Sequence, residues 1–205
     1  MKFFLLFILL FNVACVETVA VGTIITGVVV SRDKNIEQSK NDALISTKIN
    51  FSLLENKLRG IDSNIKATVS ENRVLLTGAT KDIDNAKKAY NLAWKIDGVE
   101  EVIDEVNVEE PRKKSLGFFV DEFNQSMIDS FITTKIRTKM LADRKISSAN
   151  YHVITSNQVV YLIGLAQDDL ELKQVFKRVA KTYGVKKVVN HVILKNDKRY
   201  KKLQQ

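Results

Sequence analysis

The feature that most restricts what this chain can fold into is an internal duplication. Asp42-Ala43-Leu44-Ile45-Ser46-Thr47-Lys48-Ile49 recurs as Asp129-Ser130-Phe131-Ile132-Thr133-Thr134-Lys135-Ile136, 87 residues later. Val74-Leu75-Leu76-Thr77-Gly78 recurs as Val160-Tyr161-Leu162-Ile163-Gly164, at an offset of 86. Gly98-Val99-Glu100-Glu101-Val102 recurs as Gly184-Val185-Lys186-Lys187-Val188, again at 86. Three blocks in one register mean two copies of one domain of about 70 residues, a size that closes only around a small core.

Each copy gives the same order of elements. Ile45, Ile49 and Leu53, with Ile132, Ile136 and Met140 in copy two, repeat every four residues and mark one face of a helix. Asp42 and Asp129 stand before that face and read as N-caps. Ile65, Ala67 and Val69 alternate with Lys66, Thr68 and Ser70 in a half-buried strand. Glu71-Asn72 turns the chain into a second strand, making a hairpin that Gly78 and Gly164 end. Ile83, Ala86, Tyr90 and Ala93 mark a second helix, with Gly98 and Gly184 as its C′ residues. Val102, Val106 and Val108 alternate in a last strand. The expected fold class is α+β: two tandem domains, each α-β-β-α-β, with two helices on one face of a three-stranded mixed sheet.

Charge divides the copies. The net +8 comes from 32 basic and 24 acidic side chains, but residues 41–110 carry 9 basic and 13 acidic, against 19 and 8 over residues 111–205. The C-terminal half is therefore expected to meet something anionic. One Cys cannot form an intramolecular disulfide, and with two His it cannot build a closed zinc site. No cofactor or metal is expected.

The N-terminus reads as a targeting segment. After Met1-Lys2, residues 3–11 are unbroken apolar, and nine helical residues reach only about 13 Å against a bilayer core of ~30 Å. That is a signal-peptide core, not a span. Asn12-Val13-Ala14-Cys15 follows, and a small residue then Cys resembles the lipobox of bacterial lipoproteins, with Asn12 where Leu is usual. Acylation of Cys15, at ~0.8 kcal/mol per buried CH₂, would anchor the mature protein. Val16 rather than Asp after the Cys implies, by that resemblance, an outer-membrane destination facing the periplasm. The expected organisation is a signal peptide over 1–14, a lipidated tether over 15–40, domains over 41–110 and 129–195, a linker over 111–128 and a basic tail over 196–205.

The element order, the strand ending Leu75-Leu76-Thr77-Gly78 and the Gly-Val turn before the last strand resemble the BON-domain family of bacterial periplasmic proteins. With the lipobox and two copies, the chain is similar to the dual-BON outer-membrane lipoproteins associated with cell division and envelope stress. The nearest local match is Phe131-Ile132-Thr133-Thr134-Lys135-Ile136-Arg137. The resemblance implies a non-enzymatic protein whose second domain binds anionic phospholipids, phosphatidylglycerol and cardiolipin, through its first helix. It also implies outer-membrane assembly or division proteins as partners, and an aromatic residue entering the bilayer.

The residues carry a compatible reading of their own. With Ile132, Ile136 and Met140 inward, Phe131, Thr134, Lys135 and Thr138 face outward, with Arg137 and Lys139 at the flanks. An exposed ring beside an ammonium suits the membrane interface, where the ring enters the acyl boundary and the cation meets phosphate. The competing reading packs Phe131 against Phe118, Phe119 or Phe123. His152 and His191 read as solvated sheet residues, and Ser147-Ser148 lacks a paired base. The basic tail with Tyr200 suits lipid head groups, and a signal peptide argues against nucleic acid. A protein-interaction adaptor is the second functional reading.

Overall fold

The computed structural model describes residues 36–60, 62–109, 116–198 and 200. Cys15 and the signal peptide, most of the tether and most of the basic tail lie outside these residues. Copy one comprises α1 (Ile36–Glu55), β1 (Ser63–Ser70), β2 (Arg73–Thr80), α2 (Ile83–Trp94) and β3 (Glu101–Val108). Copy two comprises α3 (Leu116–Leu141), a short 3₁₀ turn (Ser148–Asn150), β4 (Tyr151–Ser156), β5 (Val159–Ala166), α4 (Asp169–Ala180) and β6 (Lys187–Leu194). In each, the central strand pairs antiparallel with the first and parallel with the last. This is the expected α+β tandem, with helices on one face of each mixed sheet.

The cores follow the helix periodicity. Ile45, Ile49 and Leu53 pack with Val74, Leu76, Ala89 and Ala93, and Ile132, Ile136 and Met140 with Val160, Leu162, Val175 and Val179. Among the described residues, every buried apolar core residue lies between Ile45 and Ile193, so a fragment of residues 32–205 retains both cores. Ile83, read as a core position, is exposed, and Ala89 takes the inward place instead.

Four sequence expectations are corrected. First, Asp42 and Asp129 lie inside α1 and α3, not before them. Asp42 accepts hydrogen bonds from the amides of Glu71 (3.0 Å) and Asn72 (2.9 Å). Asp129 does the same with Asn157 and Gln158, both at 2.8 Å. These four residues are the hairpin turns, all at positive φ, as a two-residue type I′ loop requires. The carboxylate thus clasps the turn of the sheet on which its helix lies.

Second, Gly78 and Gly164 sit within β2 and β5 rather than at their ends. A Cβ at Gly78 would stand 2.0 Å from the Asn64 carbonyl oxygen, and one at Gly164 would stand 2.2 Å from that of Asn150. Close approach of the chain entering the neighbouring strand, together with positive φ (112° at Gly78, 157° at Gly164), is the reason for glycine. Third, α2 ends at Trp94 with Lys95 as its cap, so Gly98 is not C′. It occupies the third position of a turn closed by Val99 N–H donating to Ile96 O, as Gly184 does in the turn from Thr182 to Val185.

Fourth, His191 is not a solvated strand residue. On β2, Leu75 alternates with the core residues Val74 and Leu76, yet it is fully buried, as are Ile163 and Leu165 on β5. These side chains occupy the sheet faces that the helices leave open, and there the two copies meet. Arg73 reaches across, its guanidinium donating to the His191 carbonyl at 2.7 Å while pairing with Glu101 at 2.5 Å. The His191 ring in turn meets Glu105 at 2.9 Å. Burial, with Glu105 adding to it, pushes the nearby Tyr161 hydroxyl pKa up. The layers are therefore helices, sheet, sheet, helices, and α1 and α3 belong to opposite outer layers.

Loss of two hydrogen bonds to a charged acceptor should make Asp129→Ala cost about 2–4 kcal/mol. Gly164→Ala should cost more than ~1 kcal/mol because the neighbouring strand must move. Urea denaturation of the 32–205 fragment measures both, and a Gly164→Ala variant as stable as wild type would contradict the close approach.

Candidate functional site

Helix α3 is longer than its counterpart in the sequence reading, running through residues taken as linker. Its second half closes the core of copy two through Ile132, Ile136 and Met140. Turning 100° per residue, the opposite face carries Val120, Phe123, Met127 and Phe131 in line, then Thr134, Thr138 and Leu141. Val120, Phe123, Met127, Phe131 and Leu141 are all at least half exposed. Phe131 is 63% exposed and Phe123 64%, so the two rings do not bury one another.

The predicted residues fall out as follows. The Lys135 ammonium lies 5.6 Å from the centroid of the Phe131 ring, within cation–π range. Thr134 and Thr138 are exposed beside them, and the Thr138 hydroxyl donates to the Thr134 carbonyl at 2.9 Å. Phe131, Thr134, Lys135 and Thr138 therefore share one outward surface. Arg137 lies about a third of a turn away, and its guanidinium donates to the Val153 carbonyl at 3.2 Å. It braces α3 on the edge strand β4 and does not join the Phe131 surface.

Sequence reasoning missed the matching face of copy one. Leu44, Phe51 and Leu54 on α1 are each more than half exposed. Their spacing of seven and three residues was legible as a second helical stripe. Thr47, between them, returns its hydroxyl to the Ala43 carbonyl at 2.8 Å. Among the described residues, no group of three or more His, Cys, Asp or Glu side chains could hold a metal ion. Nor is any described helix long and apolar enough to cross a membrane.

These features define a tandem α+β protein whose first helices present apolar stripes outward from two closed cores. The chain belongs to the BON-domain family: the model of the BON domain matches residues 41–110 and 128–196. It is 38% identical over 158 residues to an uncharacterized protein of Anaplasma centrale, covering 77% of this chain and 97% of that one. It is 30% identical over 155 residues to a 21 kDa hemolysin of Actinobacillus pleuropneumoniae, covering 74% and 75%. It is also similar to the outer membrane lipoprotein DolP of Haemophilus influenzae, 26% identical over 180 residues and covering 88% of each chain.

Proposed function

We propose that this is a non-enzymatic, lipid-anchored envelope protein that binds anionic phospholipids through the outer face of α3. The observation that carries the reading is Phe131, 63% exposed beneath the Lys135 ammonium on a helix whose stripe continues through Met127 and Phe123. Contact with a bilayer combines two terms. Ring burial contributes at ~25 cal/mol/Å², and each cation near an anionic surface adds about 1 kcal/mol that salt weakens. The likeness to an outer membrane lipoprotein supports an envelope location, and the lipobox-like Val13-Ala14-Cys15 supports the anchor.

A second reading, a protein-interaction adaptor, has one observation in its favour. The stripe of Leu44, Phe51 and Leu54 lies on the layer opposite α3, where a flat bilayer touching Phe131 would not reach. Copy one thus has a surface for a partner of another kind.

Flotation of the 32–205 fragment with phosphatidylglycerol vesicles tests the lipid site. Phe131→Glu should abolish binding, because a carboxylate loses the burial and meets like charge. Lys135→Ala should weaken binding partially, and ~0.5 M salt should weaken it further. Thr47→Ala should change nothing, and circular dichroism should show every variant folded. Equal flotation of wild type and folded Phe131→Glu would move the site off α3 and favour the adaptor.

The anchor is tested separately in the whole protein. Cys15→Ser should release the protein from the membrane fraction or leave an uncleaved precursor. Identical fractionation of both forms, with no palmitate label in either, would remove Cys15 from the account.

A further inference from the structure

Copy two holds a second cationic surface, on residues that the α3 stripe does not use. Where the C-terminal ends of α3 and α4 meet, Lys139, Lys145, Lys177, Arg178 and Lys181 surround an open cleft of about 650 Å³. One carboxylate, Asp143, lies among them and pairs with Arg178. The Lys145 amide above all, then Arg178 and the Lys145 ammonium, hold the Asp143 carboxyl below its usual range. It therefore stays ionised at neutral pH. Lys139 donates to the Thr182 hydroxyl at 3.2 Å, a neutral partner. Five cations against one anion leave the cleft with a formal charge of +4.

Helix ends explain only part of this. The negative C-terminal end of α4 favours nearby cations by about 0.3–1 kcal/mol each, which accounts for Lys177, Arg178 and Lys181. Lys139 stands in the last turn of α3 and is favoured by that helix end in the same way, whereas Lys145, in the loop after it, adds repulsion that neither dipole requires. The duplication supplies an internal control. The positions in copy one that match Lys139, Lys177, Arg178 and Lys181 are Ser52, Asn91, Leu92 and Lys95, and Asp143 matches Asn56. The same backbone closes with one of those four cations, so the fold does not demand the cluster.

We infer that this cleft is a binding site for an anion bearing two or more phosphate groups. Its volume falls within the range of small-molecule sites and exceeds what a single phosphate fills. Lysines presented from three directions neutralise separated phosphates better than one centre, and Arg178 offers the planar fork for a bidentate contact once drawn from Asp143. The phosphates can come from a lipid head group or from a free polyphosphate. Lys139 is about 12 Å along α3 from Phe131. The inference stands on different residues from the lipid reading and survives its failure.

Titration calorimetry of the 32–205 fragment with inorganic tripolyphosphate is the test. Wild type should bind at one site, and the Lys177→Gln/Lys181→Gln double variant should bind at least tenfold more weakly. Asp143→Asn should bind more tightly, since it raises the cleft charge and frees Arg178. Phe131→Glu should bind tripolyphosphate as wild type does, whatever it does to vesicles. Flotation on vesicles of a two-phosphate lipid against a one-phosphate lipid, at matched charge, then separates the sources. A preference for the former that the double variant loses identifies a head group, and tripolyphosphate binding at the cleft with no lipid preference that depends on Lys177 and Lys181 identifies the free anion. No tripolyphosphate binding, or equal binding by the folded double variant, would overturn the site.

Discussion

The carboxylate clasp between the first helix and the hairpin turn holds each domain in register. The two turn residues of each copy, Glu71 and Asn72 in the first and Asn157 and Gln158 in the second, take positive φ without being glycine. Such backbone costs of order 1 kcal/mol or more per residue and persists only where the surroundings impose it. Asp42 and Asp129 impose it by accepting both turn amides. Gln38 and Gln125 steady the carboxylates from one helical turn earlier, donating to Asp42 at 3.2 Å and Asp129 at 3.1 Å. The turn fixes the hairpin register, and a slip of one residue would exchange the core and open faces of the central strand. Everything that faces outward on α1 and α3 is set by that geometry.

The second constraint is the open face of each sheet. A three-stranded sheet with helices on one side leaves half its side chains in water, and here those faces cover one another. Leu75, Ile163 and Leu165 become fully buried, each contributing roughly 1.5–3 kcal/mol relative to exposure. Charge crosses the same interface with partners supplied. Arg73 is 4% exposed and would be costly there without Glu101 and the His191 carbonyl. Glu105 and His191, which pair across it, occupy the same position of the repeat. The duplication thus gave one copy an acceptor and the other a ring that can donate. The acidic excess of residues 41–110 is partly spent at this contact.

Much of this was legible in the sequence, and the parts that were not share a cause. The repeat, the element order and the inward faces follow from local spacing, which the chain displays directly. The role of Asp42 does not: an Asp before an apolar helical run is the ordinary sign of an N-cap, and only the hairpin, some 30 residues away, changes its meaning. Gly78 was recognisable as a required glycine, but its reason is the Asn64 carbonyl on another strand. The burial of Leu75 did leave a trace. Val74-Leu75-Leu76 and Leu162-Ile163 are continuous apolar runs, the mark of a strand covered on both faces rather than one. Phe131 was legible because its surface is built from one helix alone, whereas the cationic cleft joins α3, α4 and a loop.

Apolar exposure by itself does not distinguish the two copies. Leu44, Phe51 and Leu54 on α1 expose as much as the corresponding part of α3, and Lys48 matches Lys135. What differs is the charge behind the stripe and its length. On α3 the apolar line begins about three turns earlier, at Val120, continues through Phe123, and runs toward the end of the helix that bears Lys139 and the cationic cleft. On α1 the matching end has Ser52 and Asn56, and the domain around it is net acidic. A bilayer of anionic lipid rewards burial and positive potential together, and that is why the proposed lipid contact falls on α3. A protein partner needs only burial and shape, so α1 remains suited to one. Because the sheets pack between them, the two surfaces point away from each other, and occupation of one leaves the other open.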